Sequence, residues 1–154
     1  TVFGEAQHTV EAMSDSVLCV FPRGKLWSLY NTEPGLGFDV TWLAAREEKM
    51  LDDNLLSIGR RSAAERVAFI LIHLLRRLKE LGLTNGACFE TPFNQQHLAD
   101  TLGLSLVHTN KTIRKMTRNG LILWRDRHLS ILDEKRLVAI AQYDRDKSPP
   151  RPLI

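Results

Sequence analysis

The first third of the chain alternates between apolar runs and short polar breaks. Residues 16–21 form an apolar run with β-branched members, which predicts a buried strand. A short helix is expected at residues 25–30, and a long helix at residues 38–61, where there is no proline and only one glycine. A lone strand cannot form a sheet, so these patterns suggest that part of a larger β structure is missing upstream.

The long helix has one apolar stripe. Ala44, Leu51, Leu55 and Ile58 follow one another at intervals of seven, four and three residues, as expected for one face of a helix. The stripe fits either a helix that pairs with a second copy or one that packs on a core. The candidate interface residues are Val40, Leu43, Ala44, Met50, Leu51, Leu55 and Ile58.

A third helix is predicted to begin at Ser62, because Glu65 three residues later completes a capping-box pattern, and to end near Gly82. An extended segment is expected at residues 87–93, followed by a helix capped by Asn94. Gly103 then allows a turn with positive φ, and Ser105 caps a second helix. The inner faces of the two helices are predicted from their apolar and small residues: Leu98, Ala99, Leu102, Thr109, Thr112, Ile113 and Met116.

This pattern is that of a helix-turn-helix. The outer face of its second helix is rich in side chains that contact bases or phosphates, namely His108, Asn110, Lys111, Arg114 and Lys115, beside Leu106 and Val107. Two short strands follow, with Arg125 and Arg127 at the tip of their hairpin, and a capped helix at residues 133–141 closes the unit. A helix-turn-helix followed by a basic hairpin predicts a DNA-binding winged helix.

Charge supports a polyanionic partner for this part of the chain. Residues 1–58 carry nine acidic and four basic side chains, whereas residues 59–154 carry nine acidic and seventeen basic ones. Between residues 94 and 128, six basic side chains stand against two acidic ones. A winged helix used only for protein contacts needs no basic outer face, so this excess favours DNA.

Other classes of function find little support. The 154 residues are 44% hydrophobic and 25% charged, as in folded globular proteins, and no apolar run is long enough to span a membrane. Cys19 and Cys88 are too few for a cysteine-ligated cluster, and His97 and His108 lack the spacing of metal ligands on one helix face. Without a phosphate loop or nucleophile elbow, we expect a cytoplasmic chain that is not an enzyme and binds no cofactor.

From about residue 10 onward, the chain resembles the cyclic-AMP receptor/fumarate-nitrate regulator (Crp/Fnr) superfamily of bacterial transcription factors. The most specific segments are residues 98–113 and the Gly-Leu-Ile at 120–122. The resemblance implies a homodimer on a palindromic DNA site, with the helix at about 106–117 in the major groove. It places Val107, Asn110 and Lys111 at base-reading positions, and it places Gln96, Ser105, His108 and Arg125 at phosphate-contacting positions.

The resulting fold is mainly α with a small β component. The resemblance divides it into a remnant of a cyclic-nucleotide-binding-type sensor β-roll (1–37), a dimerisation helix (38–61), a winged helix-turn-helix (62–142) and a flexible tail (143–154). In the family, the phosphate of a cyclic nucleotide is bound by a segment with an arginine just before a small hydroxyl residue, near where Ala6 and Gln7 stand here. No arginine precedes Arg23 in this sequence, so the resemblance implies that cyclic-nucleotide binding is not expected. The expected partners are double-stranded DNA and a second copy of the chain, with RNA polymerase as a further candidate.

Two alternatives stay open. The chain could be a dimer whose winged helix meets another protein without specific DNA binding. It could also be a ligand-sensing fragment, in which case a small molecule would shift its melting temperature.

Overall fold

The structure, a computed structural model, describes residues 9–143 and is mostly helical with one small sheet. This confirms the predicted fold class. The elements are α1 (Lys25–Thr32), α2 (Pro34–Arg60), α3 (Ala63–Glu80), β1 (Cys88–Glu90), α4 (Gln95–Leu102), α5 (Leu106–Arg118), β2 (Ile122–Arg125), β3 (His128–Ile131) and α6 (Glu134–Ala141). The chain forms two compact units that divide within α2, between Leu51 and Asp52. Of the predicted tail, all but Tyr143 lies outside the described residues.

In the first unit, the predicted strand at residues 16–21 is wrong. These residues are exposed and have no strand partner, and the side chain of Val17 is fully open to solvent. A strand is stable only when its backbone groups are paired and one face is covered, and no described residue does either here. The apolar run therefore forms neither a strand nor a part of the core among the described residues.

The long helix begins earlier than predicted. α2 starts at Pro34, whose fixed φ and missing N–H suit the first turn of a helix. Gly37 allows this early start, because a Cβ at this position would lie 2.8 Å from the Tyr30 ring. The Tyr30 hydroxyl also shares a hydrogen bond of 2.9 Å with the Thr41 hydroxyl. α1 and the start of α2 therefore pack through the Tyr30 side chain.

The second unit is built around α3. Its first turn has the predicted capping box: the Ser62 N–H donates to Glu65 Oε2 at 2.6 Å, and the Glu65 N–H donates to Ser62 Oγ at 3.4 Å. Its end is closed by Gly82 at φ +69°. α3 packs against α5, α6 and β1. Its buried residues are Val67, Ala68, Phe69, Ile70, Leu71, Ile72 and Leu75.

The sheet has the strand order β1-β3-β2, with both neighbouring pairs antiparallel. β2 and β3 form the predicted hairpin, in which Ile122 lies opposite Ile131 and Trp124 opposite Leu129. Ile122 and Leu129 are fully buried in the same core as α3, so the root of the hairpin is fixed on the helical part.

The capping box generates a pH-dependent prediction. The Ser62 backbone N–H, with a further contribution from the Ser62 side chain, lowers the pKa of Glu65 below its ordinary value of 4.5. Because the folded pKa is the lower one, the stabilisation is complete above pH 4.5 and is lost as the pH falls through the folded value. We expect Glu65→Gln to melt at a lower temperature than the wild type at pH 7, and the difference to vanish in acid. Thermal melts from pH 7 to pH 3 measure this, and a difference that does not change with pH would contradict it.

Candidate nucleic-acid interface

The helix-turn-helix forms where the sequence predicts it, through local caps. Asn94 Oδ1 accepts the N–H groups of Gln96 and His97, at 2.9 and 3.1 Å. Ser105 Oγ accepts the His108 N–H at 3.2 Å and begins α5. Between the helices, Gly103 has φ +61°, a conformation that side chains other than glycine seldom adopt. The turn is therefore fixed by short-range interactions.

α5 has one buried and one exposed face. Thr109, Thr112, Ile113 and Met116 are buried towards α4 and α3, as predicted. This burial leaves Val107, Lys111, Arg114 and Arg118 along one outward stripe, with His108 and Lys115 beside it. Val107 is 80% exposed. The structure thus brings most of the predicted outer-face residues together on one surface.

Asn110 is the exception on this helix. The sequence placed it on the outer face, but its side chain is half-buried, and Oδ1 is buried with no hydrogen-bond partner among the described residues. The physical reason is its place on the helix, where it borders the buried stripe next to Ile113. Its amide oxygen is therefore turned into the protein.

Two of the candidates at the helix starts, Gln96 and Ser105, have side chains that already take part in hydrogen bonds. Gln96 Nε2 donates to Asp100 Oδ1 at 2.7 Å, so a phosphate would have to compete with that carboxylate for the Gln96 amide. The Ser105 hydroxyl accepts a backbone N–H, which leaves its own proton free for an acceptor. His108 is exposed in the first turn of α5.

The wing tip is a tight two-residue turn. Asp126 and Arg127 have φ of +47° and +62°, the arrangement that joins strands with the natural twist and usually contains asparagine and glycine. Arg125 and Arg127 are both exposed. Arg127 lies 3.6 Å from Glu90 Oε1, but both side chains are more than half exposed, so this ion pair contributes little to stability.

One residue that the sequence analysis overlooked anchors the wing. Thr91 is fully buried, and its hydroxyl donates to the Arg127 carbonyl at 3.0 Å while it accepts the Trp124 Nε1–H at 3.0 Å. The Thr91 N–H also donates to the Arg127 carbonyl, at 2.6 Å. Thr91 therefore ties the residue after β1 to the wing, through Trp124 near the end of β2 and the Arg127 carbonyl at the tip. The sequence does not single out this role, because Glu90 beside Thr91 is polar as well.

The stripe on α2 is exposed in the single chain. Leu55 is 69% exposed and Leu51 60%. Val40, Leu43, Ala44 and Ile58 are also exposed, and Met50 is half-buried. Exposed leucines along one helix face are typical of an interface rather than of a solvated surface.

Metal or membrane sites are not found in the part of the chain that the structure describes. Residues 9–143 contain no group of three or more histidine, cysteine or acidic side chains placed to hold a metal ion. Within the same range, no helix has the length and apolar content to cross a bilayer.

Two helices joined at a glycine turn, with an exposed cationic face on the second and a hairpin after it, define the winged helix-turn-helix class of proteins. Residues 65–140 match the Crp-like helix-turn-helix domain family. The chain belongs to the Crp/Fnr superfamily of transcription regulators.

Several relatives support this assignment. The chain is 31% identical over 134 residues to the transcriptional activatory protein AadR of Rhodopseudomonas palustris, covering 86% of this chain and 55% of AadR. It is 30% identical over 138 residues to the nitrogen fixation regulation protein FixK of Bradyrhizobium diazoefficiens, covering 90% of this chain and 58% of FixK. The chain thus spans a little over half the length of these relatives.

The fold is also similar to that of a solved structure. FixK2 from Bradyrhizobium japonicum aligns with a TM-score of 0.67 at 23% identity, over 77% of this chain and 58% of FixK2. At this level of identity the likeness concerns the fold alone.

The buried threonines of α5 generate a stability prediction. Thr109 is fully buried, and its hydroxyl finds no partner among the described residues, whereas the neighbouring Thr112 hydroxyl donates to the His108 carbonyl at 2.9 Å. Thr109→Val removes a desolvated, unpaired hydroxyl and should raise the free energy of unfolding by about 1 kcal/mol. The matched Thr112→Val removes a bonded hydroxyl and should bring no gain. Urea unfolding of both variants measures this, and equal effects would contradict it.

Proposed function

We propose that this chain is a sequence-specific DNA-binding transcription regulator that acts as a homodimer on a palindromic site. The observation that carries the proposal is the exposed stripe of α5, in which Lys111, Arg114 and Arg118 stand outward while the opposite face is buried. An α-helix fits the major groove of B-DNA, where lysine and arginine contact guanine and the phosphates.

The roles divide by position on α5 and the wing. Lys111 and Val107 lie near the start of the exposed stripe, from which helices of this class reach base edges, and a valine methyl can contact a thymine methyl. Asn110 belongs to this group only if its half-buried amide turns outward on binding. The proposed phosphate contacts are Gln96, Ser105, His108, Arg114, Lys115, Arg125 and Arg127.

The strained backbone conformation at the wing tip also supports the proposal. Arginine at φ +62° is unfavourable compared with glycine, yet Arg127 occupies this position and presents a charge at the tip. A residue that costs stability without a structural gain is expected where function needs it. We propose that the two wing arginines bind phosphates beside the groove that α5 enters.

Dimerisation is the second part of the proposal. The exposed stripe of α2 would pair with its copy, which would place two winged helices on half-sites about one helical turn apart. Because FnrL of Cereibacter sphaeroides is described as a transcriptional activator, RNA polymerase is a candidate partner of the DNA-bound dimer. The competing proposal is a winged helix that binds only protein. The exposed basic side chains of α5 and the wing do not favour it, because a protein contact needs no basic outer face.

The direct test is selection from a randomised duplex pool with purified protein at near-physiological salt. An enriched two-fold palindrome supports the proposal and supplies the operator. Retained DNA without a motif, lost on adding salt, leaves only electrostatic affinity. A folded dimer that retains no DNA would favour the protein-binding alternative.

Two alanine variants separate base reading from phosphate binding. Lys111→Ala should weaken binding to the selected site by about 1–3 kcal/mol and relax the preference at one base pair. Arg125→Ala should weaken binding to all sequences alike and reduce the salt slope by about 1. Titrations of both variants on the selected site and on single-base variants, at several salt concentrations, measure these effects. Equal losses on all sequences for Lys111→Ala would reassign that residue to the phosphates.

The dimer interface is tested by a charge within the stripe. Leu55→Glu places a carboxylate on the most exposed leucine of α2 and should yield a folded monomer, because a buried unpaired charge is costly. The matched control is Leu83→Glu, at a leucine of 61% exposure outside α2, which should stay dimeric. Sedimentation equilibrium distinguishes the two, and a dimeric Leu55→Glu would remove this stripe from the interface.

A further inference from the structure

The guanidinium of Arg66 joins three segments of the second unit. Arg66 lies in the first turns of α3, and its Nη2 donates to the Ile58 carbonyl at 2.8 Å. Its Nε donates to the Arg61 carbonyl at 2.9 Å, and its Nη1 donates to the Leu102 carbonyl at 3.0 Å. One side chain thus connects the end of α2, the α2–α3 linker and the end of α4.

These carbonyls are groups that helix ends leave without an N–H partner. The Ser62 N–H, which would continue the α2 ladder to Ile58, donates to Glu65 Oε2 instead. Leu102 is the last residue of α4, and Arg61 lies between two helices. A cation is favoured at the negative end of a helix, and here two such ends meet the same guanidinium.

Further contacts support the same junction. The Ile58 side chain lies 3.9 Å from the position of a Cβ on Gly103, so the end of α2 lies close to the turn of the helix-turn-helix. Arg61 donates to the Ser57 hydroxyl and also lies over the Phe69 ring, at 4.1 Å from its centroid. The two-residue linker therefore has side-chain contacts with both α2 and α3.

From these contacts we infer that Arg66 is a positioning residue that fixes the angle between the end of α2 and the helix-turn-helix. The inference rests on the proposed function for its consequence. If α2 pairs two copies, this angle sets the distance between the two α5 helices, and hence the spacing of half-sites that the dimer accepts. Arg66 would contribute to specificity without touching DNA.

The angle itself is measurable without DNA. Spin labels at Asp52 in α2 and Thr101 in α4, both exposed, report the distance across the junction, in a chain whose Cys19 and Cys88 are changed to serine. Dilution of the labelled chain into an excess of unlabelled chain restricts the measurement to one protomer. Arg66→Met keeps the length of the side chain but loses all its donors, and it should broaden the distance distribution. Arg66→Lys keeps a charge but not the guanidinium fork, so the width of its distance distribution should lie between those of Arg66→Met and the wild type.

The consequence is measured on two DNA duplexes, the selected palindrome and the same sequence with one base pair inserted at its centre. Arg66→Met should bind the palindrome about tenfold more weakly than the wild type does. Its affinity for the spaced duplex should equal that of the wild type for the same duplex, so the ratio of the two affinities falls about tenfold. The control is Ile122→Val, in the buried core of the wing, which lowers stability without touching the junction. It should leave the ratio of the two affinities unchanged.

The outcomes separate this inference from the proposed function. An Arg66→Met variant with an unchanged distance distribution, or with equal losses on both duplexes, would overturn the role of Arg66. If the wild type selects no palindrome, the proposed function fails, and the distance distribution alone decides whether Arg66 fixes the angle.

Discussion

The proposed DNA-binding surface depends on the burial of one face of α5. A helix that buries Thr109, Ile113 and Met116 against α4 and α3 has no freedom to rotate, because every other rotation would expose these side chains. The packing of the buried face of α5 therefore determines that Lys111 points outward. The basic surface is thus a consequence of apolar packing, and the charged residues need no interactions with one another to stay in place.

The same core is connected to the wing and to the end of α2 by two sets of side-chain hydrogen bonds. Thr91 joins Trp124 to the Arg127 carbonyl, so the hairpin tip is tied to the sheet rather than left to the turn alone. Arg66 joins the ends of α2 and α4. Both connections use side-chain donors on backbone carbonyls, which are fixed in space, and this makes them more directional than apolar contacts would be.

Much of this unit could be predicted from the sequence, because its signals are local. The caps at Ser62, Asn94 and Ser105 and the glycine turn act over a few residues, and the structure confirms them. The strand predicted at residues 16–21 is not formed, because an apolar run alone supplies neither the neighbouring strand nor the covered face that a strand needs. The contact of Arg66 with the Leu102 carbonyl depends on a neighbour 36 residues away, which no local pattern reports.

Departures from local rules gather on the surface that we propose to bind DNA. Asp126 and Arg127 hold positive φ without glycine at the wing tip, and Asn110, which borders the exposed face of α5, has a buried amide oxygen without a partner among the described residues. Gln142 also has positive φ, but it ends α6, where that conformation is common. A sequence selected for stability alone would place glycine at the wing tip. The concentration of such costs on α5 and the wing is therefore independent support for a function of this surface.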